Sequence, residues 1–281
     1  MPLHLVFTPI GNLEDITLRA LRVLKEADVI AAEDTRHTGR LLARYDIRSP
    51  LISLHEHNES ARVQNILNRL SAGESVALVS DAGAPTVSDP GYKLVQAAIK
   101  AGFQPEPVPG PSAFLAALTA SGLPTDRFTF LGFPPRKPKA RSELLQSLRP
   151  EPGVLIFYES PRRLPALLAD IARELGPERP VVIARELTKL HEEFWRGRAQ
   201  EATRAFAQPP KGEIVVLVGG APAAAAPQIT PAVEETLVGL LAGDMSVADA
   251  ARLLAELTGL PRRALYQRAL ALTRPRQSQE S

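Results

Sequence analysis

Apolar and polar positions in the first 110 residues alternate between a strand rhythm and a helix rhythm. Leu3–Phe7 is a short apolar run that ends in Thr8-Pro-Ile-Gly-Asn. A helical pattern follows, with Leu18, Leu21 and Leu24 on one face and Asp15 or Thr17 as its N-cap. Asp28–Ala32 predicts a second strand, and the nearly continuous apolar run Ser75–Ser80 predicts a parallel strand buried on both faces. Gly91–Ala101 predicts a helix closed by Gly102, Pro105–Pro109 an edge-like stretch, and Ser112 the cap of an Ala- and Leu-rich helix to Ser121. In the second half, Phe128–Phe133, Val154–Tyr158, Val181–Ala184, Glu193–Arg196 and Glu213–Val218 predict the strands of another sheet. Arg162–Leu175 predicts a helix that stops at Gly176-Pro177. This alternation argues for an α/β fold with right-handed crossovers and a ligand at the carboxyl ends of the strands.

A change of texture marks the end of the second sheet. Ala221–Pro231 is small and proline-rich, as a linker is. Beyond it lie about three helices, with Ser246 capping the middle one and Gly259-Leu-Pro261 separating it from Arg262–Leu272. This tail has a helix-turn-helix look, and Gln277–Ser281 reads as a frayed end. The predicted organisation is two α/β domains, residues 1–110 and 111–221, followed by a linker and a basic helical module at 222–281.

Composition narrows the chemistry. The 281 residues contain no cysteine, which excludes disulfides, thiolate zinc sites and cysteine nucleophiles. The start, Met1-Pro-Leu-His, has no basic segment or long apolar run, and no stretch of about 18 apolar residues occurs, so neither a signal peptide nor a membrane span is expected. The expected location is the cytoplasm. Net charge is only +2, but the cations cluster. One group is Arg136, Lys137, Lys139 and Arg141; a second is Arg162 and Arg163; a third is Arg262, Arg263, Arg268, Arg274 and Arg276. Three such clusters favour a phosphate-bearing partner.

Four segments carry candidate chemistry. Thr8-Pro-Ile-Gly-Asn-Leu-Glu-Asp15 follows a strand and precedes a helix; its single glycine serves a tight turn or a close ligand approach, and it is no G-x-G-x-x-G. Ser80–Gly91 packs two Gly, two Pro, two Ser and two Asp into the end of the most buried-looking strand, where Asp81 can accept from a hydroxyl or an ammonium group. Ser112 in Pro109-Gly-Pro-Ser-Ala113 stands at a helix start, to cap it or to meet a polar ligand. Ala32-Glu-Asp-Thr-Arg-His37 offers two carboxylates beside an Arg and a His, for acid–base work or as an ion-paired loop. His55 and His57 lack a third ligand, so no metal site is expected.

With these residues in hand, the chain resembles the tetrapyrrole methylase superfamily, and within it the ribosomal RNA small subunit methyltransferase I family. The resemblance covers nearly the whole chain. It is carried, in order, by Thr8–Thr17, Ala32–Arg36, Ser53–Glu59, Ser80–Pro85, Val108–Ala113, Leu131–Lys137, Phe157–Arg163, Arg185–Lys189 and Gly212–Val215. Tetrapyrrole-directed members carry a richer G-x-G-x-G-D loop near the N-terminus; here the segment is Gly11-Asn-Leu-Glu-Asp15, which favours the RNA branch.

The resemblance implies S-adenosylmethionine bound between two α/β domains, a homodimer, and 2′-O-methylation of a decoding-centre cytidine in the 16S rRNA of the small ribosomal subunit. By motif position it implies a cofactor site of Pro9, Asp81, Gly83, Ala84, Ser112, Ala113, Phe157, Tyr158, Glu186, Leu187 and Ile214. A ribose hydroxyl needs its proton drawn away, and Glu33, Asp34, Glu159 and Lys189 are the candidate acceptors or orienters. Arg36, Arg136, Lys137, Arg162, Arg163, Arg262, Arg263 and Arg268 are candidates for holding RNA. The rival readings are a tetrapyrrole methyltransferase and a non-catalytic RNA-binding assembly factor. The basic tail argues against the first, and the intact loops at 80–85 and 109–113 argue against the second.

Overall fold

A computed structural model describes residues 2–55, 58–222 and 229–273. His57, Arg274, Arg276 and the tail 277–281, singled out above, lie outside the described residues, as does most of the predicted linker. The chain forms two compact units, Met1–Ala221 and Pro222–Ser281, each with its own core.

The first unit opens with a parallel sheet. β1 (Leu3–Val6), β2 (Val29–Ala32), β3 (Leu51–Ser53), β4 (Val76–Val79) and β5 (Pro105–Val108) lie in the order β3-β2-β4-β1-β5. β2 and β4 are buried along their whole length, as strands covered on both faces must be. β5, whose prolines cannot donate to a ladder, lies at the edge. Helices α1 (Leu18–Glu26) and α2 (Thr35–Arg44) cover one face through Val23, Leu24, Leu41 and Leu42. Helices α3 (Glu59–Ser71) and α4 (Tyr92–Lys100) cover the other through Ile66, Leu70, Leu94 and Ala98. Connections leave the neighbouring strands β1 and β4 in opposite directions along the sheet, which opens a crevice at their carboxyl ends.

Thr17 is the cap of α1, its hydroxyl accepting from Ala20 N–H at 3.0 Å. The helix faces the core with Ala20, Val23 and Leu24, whereas Leu18, expected on that face, is 86% exposed. Leu21 and Leu24 of the expected stripe do pack on the core, and only Leu18, the first residue of the helix, departs from it.

The second sheet mixes directions. β6 (Phe128–Gly132), β7 (Val154–Glu159), β8 (Pro180–Arg185), β9 (Glu193–Arg198) and β10 (Ile214–Val218) lie in the order β6-β7-β10-β8-β9. Only β6 and β7 run parallel; the remaining pairs are antiparallel. One face packs on α6 (Pro138–Ser147), α7 (Leu164–Glu174) and α8 (Ala199–Ala205), with Leu145, Leu167, Leu168, Ile171 and Ala202 in the core. Helix α5 (Ala113–Ser121) covers the other face with Ala117 and Leu118, joined there by Ile10 from the loop after β1 and by Leu187.

The second unit is three helices, α9 (Pro231–Ala242), α10 (Val247–Thr258) and α11 (Arg262–Thr273), around Leu237, Ala250, Leu254, Leu260, Leu265 and Ala269. Ser246 caps α10 by accepting from Asp249 N–H at 3.1 Å, and Gly259 ends it in the left-handed conformation, φ +70°. Among the described residues, no helix is long and apolar enough to cross a membrane.

Candidate active site

The crevice is built by stitching loops together. Thr8 N–H donates to Gly83 O at 2.9 Å and Gly83 N–H returns to Thr8 O at 3.0 Å, while the Thr8 hydroxyl donates to Ser80 O at 3.0 Å. Gly83 has φ +80°, and a Cβ there would lie 3.4 Å from Ile10 Cγ2, so the turn both favours glycine and brings the two loops into contact. Asp81 Oδ1 accepts Asp34 N–H at 3.0 Å, which ties the loop after β4 to the loop after β2. The far end of the β4 loop is anchored by buried Glu59, whose Oε1 accepts the N–H groups of Gly91 and Lys93 at 3.1 and 2.9 Å. Thr86 and Ser88 between these anchors hold φ of +73° and +66°, strain that a well-fixed loop sustains.

These loops form one wall of a cleft of about 430 Å³, within the range of small-molecule sites. Glu33, Asp81, Gly83, Ala84, Ser88 and Asp89 line it, with Ser112 and Ala113 at the start of α5. Ser112 occupies the N-cap position, but its hydroxyl makes no capping bond, so the expected cap is a lining residue. The opposite wall comes from the second sheet: Phe133, Tyr158, Glu159, Ser160, Leu187 and Gly212–Val215.

Charge is distributed unevenly over these walls. Burial, then the neighbouring Asp89, Asp81 and Asp34, push the Glu33 carboxyl up to about 7. Burial and Asp81 push Asp89 up to about 6, against a hydrogen bond from Ser80. Glu159 is raised by burial, partly offset by the Ser160 N–H and the Arg163 cation, and the Tyr158 phenol is raised by burial. Desolvated carboxylates crowded on one wall favour a ligand that brings positive charge.

The cleft brings together eight of the residues expected at a cofactor, Asp81, Gly83, Ala84, Ser112, Ala113, Tyr158, Leu187 and Ile214. Pro9 instead lines a recess of about 30 Å³ behind Asp81, with His37 and Thr38. Phe157 does not bring its side chain to the cleft. Successive residues of a strand face opposite sides, so Tyr158 reaches the cleft and Phe157 is fully buried in the core beneath α7. Glu186 also turns away from the cleft lining: it accepts from Lys189 Nζ at 3.1 Å and from Glu213 N–H at 3.0 Å. Those bonds hold its carboxyl below the usual range. Gly212, at φ +93°, makes room for it, since a Cβ there would meet the Glu186 carboxyl carbon at 2.4 Å.

Of the candidate proton acceptors, Glu33 and Glu159 line the cleft. Asp34 is committed to α2, accepting from Arg36 N–H at 2.8 Å and pairing with the Arg36 guanidinium at 3.3 Å. Lys189 lies outside the lining and is held between Glu186 and Glu213 at 3.1 and 3.0 Å.

Among the cations, Arg36, Arg136, Lys137 and Arg162 are exposed, as are Arg262 and Arg263 in the second unit. Arg268 is exposed but ion-paired to Glu234, and Arg163 is turned inward onto Glu159 and the Pro134 carbonyl. Arg141, counted above in a basic cluster, is buried against Asp170 at 2.6 Å. Motif position leaves out further lining residues, among them Ile10, Ser88, Asp89, Phe133, Ser160, Gly212 and Glu213, although each lies within a segment named above.

Comparison with known proteins places this geometry in a family. Residues 2–203 match the Tetrapyrrole (Corrin/Porphyrin) Methylases, and residues 227–273 match the RsmI C-terminal HTH domain. A Ribosomal RNA small subunit methyltransferase I of Synechocystis is 49% identical over 96% of this chain and 98% of its own length. The protein of the same name from Mesorhizobium japonicum is 51% identical, covering 96% of this chain and 92% of its own. Among solved structures, uroporphyrin-III-C-methyltransferase from Thermus thermophilus superposes with a TM-score of 0.57 at 25% identity, over 78% of this chain and 94% of that one. The chain thus belongs to the ribosomal RNA small subunit methyltransferase I family, within the tetrapyrrole methylases.

Proposed function

We propose that this protein is an S-adenosylmethionine-dependent methyltransferase of small-subunit ribosomal RNA. Its acceptor, in this reading, is the 2′-hydroxyl of a decoding-centre cytidine in 16S rRNA, reached in the cytoplasm by a homodimer. The shared name of the relatives supports the substrate class. The observation that carries the chemistry is the cleft in which Glu33, Asp81 and Asp89 line one wall, while the carboxylates of the other, Glu159 and Glu213, are ion-paired to Arg163 and Lys189 and its loops carry exposed Arg136, Lys137 and Arg162.

The residues present fit the cofactor. Glu33, Asp81 and Asp89 suit a ligand bearing a sulfonium and an ammonium group, and Ile10, Ala84, Ala113 and Leu187 offer apolar surface. When bound, S-adenosylmethionine supplies a methyl group on an electron-poor sulfur, which needs no Lewis acid. The protein's work is alignment, worth several kcal/mol or more, and removal of the acceptor's proton. Glu33 is the preferred acceptor of that proton. It lines the cleft, forms no ion pair among the described residues, and sits near neutrality, where a general base works best. Glu159 is also buried at the cleft but lies 3.2 Å from the Arg163 guanidinium, an arrangement suited to holding structure. The exposed apolar residues Leu115 and Phe128, the latter on edge strand β6, support a dimer.

The direct test is transfer of a tritiated methyl group to purified small ribosomal subunits and, in parallel, to a porphyrinoid. Label appearing in 16S rRNA and absent from the porphyrinoid is expected, and mapping should find it on a cytidine ribose. Label in the porphyrinoid alone would overturn the assignment, and a monomeric mass by light scattering would remove the dimer.

A further inference from the structure

We propose that Phe133 is the platform on which the acceptor nucleobase stacks, and that Arg163 is the positioning residue that sets this platform at the mouth of the cleft. The inference rests on the reading of the substrate as RNA and adds the contact that would present its ribose. It begins at the end of β6. The register with β7 shifts between Phe130 and Gly132, and Gly132 takes φ +62°. Such irregularities re-aim a side chain at the end of a strand. The bend also presses β6 against the opposite wall, because a Cβ on Gly132 would lie 3.1 Å from Ser88 Oγ. The next side chain, Phe133, is delivered to the cleft with 56% of its surface exposed.

A phenyl ring at that exposure gives up much of its burial energy, while its neighbours give up little. Phe114 stacks on Phe130 with centroids 4.5 Å apart, Phe130 meets Tyr158 edge-on at 5.0 Å, and Tyr158 meets Phe133 at 5.6 Å. Phe133 ends this row of rings, partly open to solvent and next to the cleft. Two prolines later come exposed Arg136 and Lys137, and exposed Arg162 lies on the neighbouring loop. An aromatic surface beside exposed cations, on a wall whose carboxylates Glu159 and Glu213 are ion-paired, is the combination that receives an unstacked base and its flanking phosphates.

The platform is also fastened. Arg163 Nη2 donates to Pro134 O at 2.6 Å and lies 3.2 Å from Oε2 of fully buried Glu159. The guanidinium therefore ties the Phe133 loop to the end of β7 and is withdrawn from phosphate contact.

The test uses the full-length protein with Phe133→Ala, Phe133→Leu and Phe133→Tyr. Methyl transfer to small ribosomal subunits, calorimetric affinity for S-adenosylhomocysteine and mass by light scattering are compared with the parent. A lost stacking contact corresponds to a fall of about 10- to 100-fold in kcat/KM. Phe133→Ala and Phe133→Leu should show that fall and Phe133→Tyr should keep most of the activity, with homocysteine-product affinity and mass unchanged in all three. Arg163→Met, which removes the nitrogen that bridges Pro134 O and Glu159, should fall with Phe133→Ala. Arg163→Lys, whose ammonium can meet both partners, should keep more of the activity, and adding Arg163→Met to Phe133→Ala should cost little more. Leu serving as well as Tyr would show a packing role. Product affinity falling in step with turnover would make Phe133 a cofactor wall, and an altered mass would make it a contact between copies; each overturns the proposal. An active parent with an unaffected Phe133→Ala defeats this inference alone. A parent inactive on ribosomal subunits defeats the RNA reading and this inference with it.

Discussion

The two walls of the cleft are made of different materials. The wall from the parallel sheet consists of loops at strand ends, pinned to one another by backbone bonds such as Thr8–Gly83 and Asp34–Asp81, and it presents carboxylates that burial has pushed toward neutrality. The wall from the mixed sheet presents ring and aliphatic surface from Tyr158, Phe133, Leu187 and Ile214; its carboxylates Glu159 and Glu213 are ion-paired to Arg163 and Lys189, and exposed Arg136, Lys137 and Arg162 lie outside the lining. A rigid acidic wall suits a small cation held in one pose; an aromatic wall with basic surroundings suits a polyanion that arrives from outside. Under the proposed function, the loops of the parallel sheet meet the charged groups of the cofactor, Leu187 meets it from the other wall, and the Phe133 loop meets the RNA.

The comparison breaks most severely at Glu33. Replacing it with Gln keeps the shape but removes the proton acceptor, so methyl transfer should drop by roughly 10²- to 10⁴-fold while product affinity changes little. Unchanged turnover would move the base elsewhere, with Glu159 next to be replaced. Asp81→Asn isolates the charge of the acidic wall, since the amide oxygen can still accept the Asp34 N–H. Affinity for S-adenosylmethionine should fall about tenfold, the scale of one charged hydrogen bond, and affinity for the uncharged-sulfur product should fall less. Equal losses in calorimetry would show that the carboxylate acts through shape.

Deleting residues 222–281 sharpens the account of the other wall. Affinity for the ribosomal particle should fall by about an order of magnitude, with a shallower salt dependence. Product affinity should stay within about twofold, because every cleft-lining residue precedes residue 222. RNA affinity and salt slope equal to the parent's would make the module a structural cap. The smallest effect is in pH. Glu33 is raised from 4.5 to about 7 and Asp89 from 3.8 to about 6, so in those windows the folded protein holds protons that the unfolded chain has released. Stability without ligand should therefore decline as pH rises from about 4.5 to 7, the reverse of an ion-paired carboxylate. Affinity for S-adenosylmethionine should rise over the same range. A melting temperature that climbs steadily to neutrality would contradict the raised values.

Much of this wall-by-wall design was legible in the chain. The buried run at Ser75–Ser80, the glycine- and aspartate-rich loop after it, and the helix start at Ser112 all point to one place at a parallel sheet's carboxyl edge. Period-two alternation also carried the information that separates Phe157 from Tyr158; motif position alone treated the pair as a unit. Helix α3 has a legible stripe in Val63, Ile66, Leu67 and Leu70, yet it is absent from the elements assigned from sequence, as are α2, α6 and α8. α2 buries only Thr38, Leu41 and Leu42, too short a stripe to stand out among its polar residues. The inward turn of Arg163, the burial of Arg141 and the bend at Gly132 depend on contacts between residues far apart in sequence, which a charge run or a lone glycine does not encode.

The central claim is that the acid-walled cleft holds the cofactor. A crystal structure with S-adenosylhomocysteine tests it most directly. The account predicts ligand density between the two sheets, with Asp81 and Ser112 each within about 4 Å of it, a generous hydrogen-bonding limit. Density elsewhere, or in the cleft but beyond that distance from both residues, would contradict it.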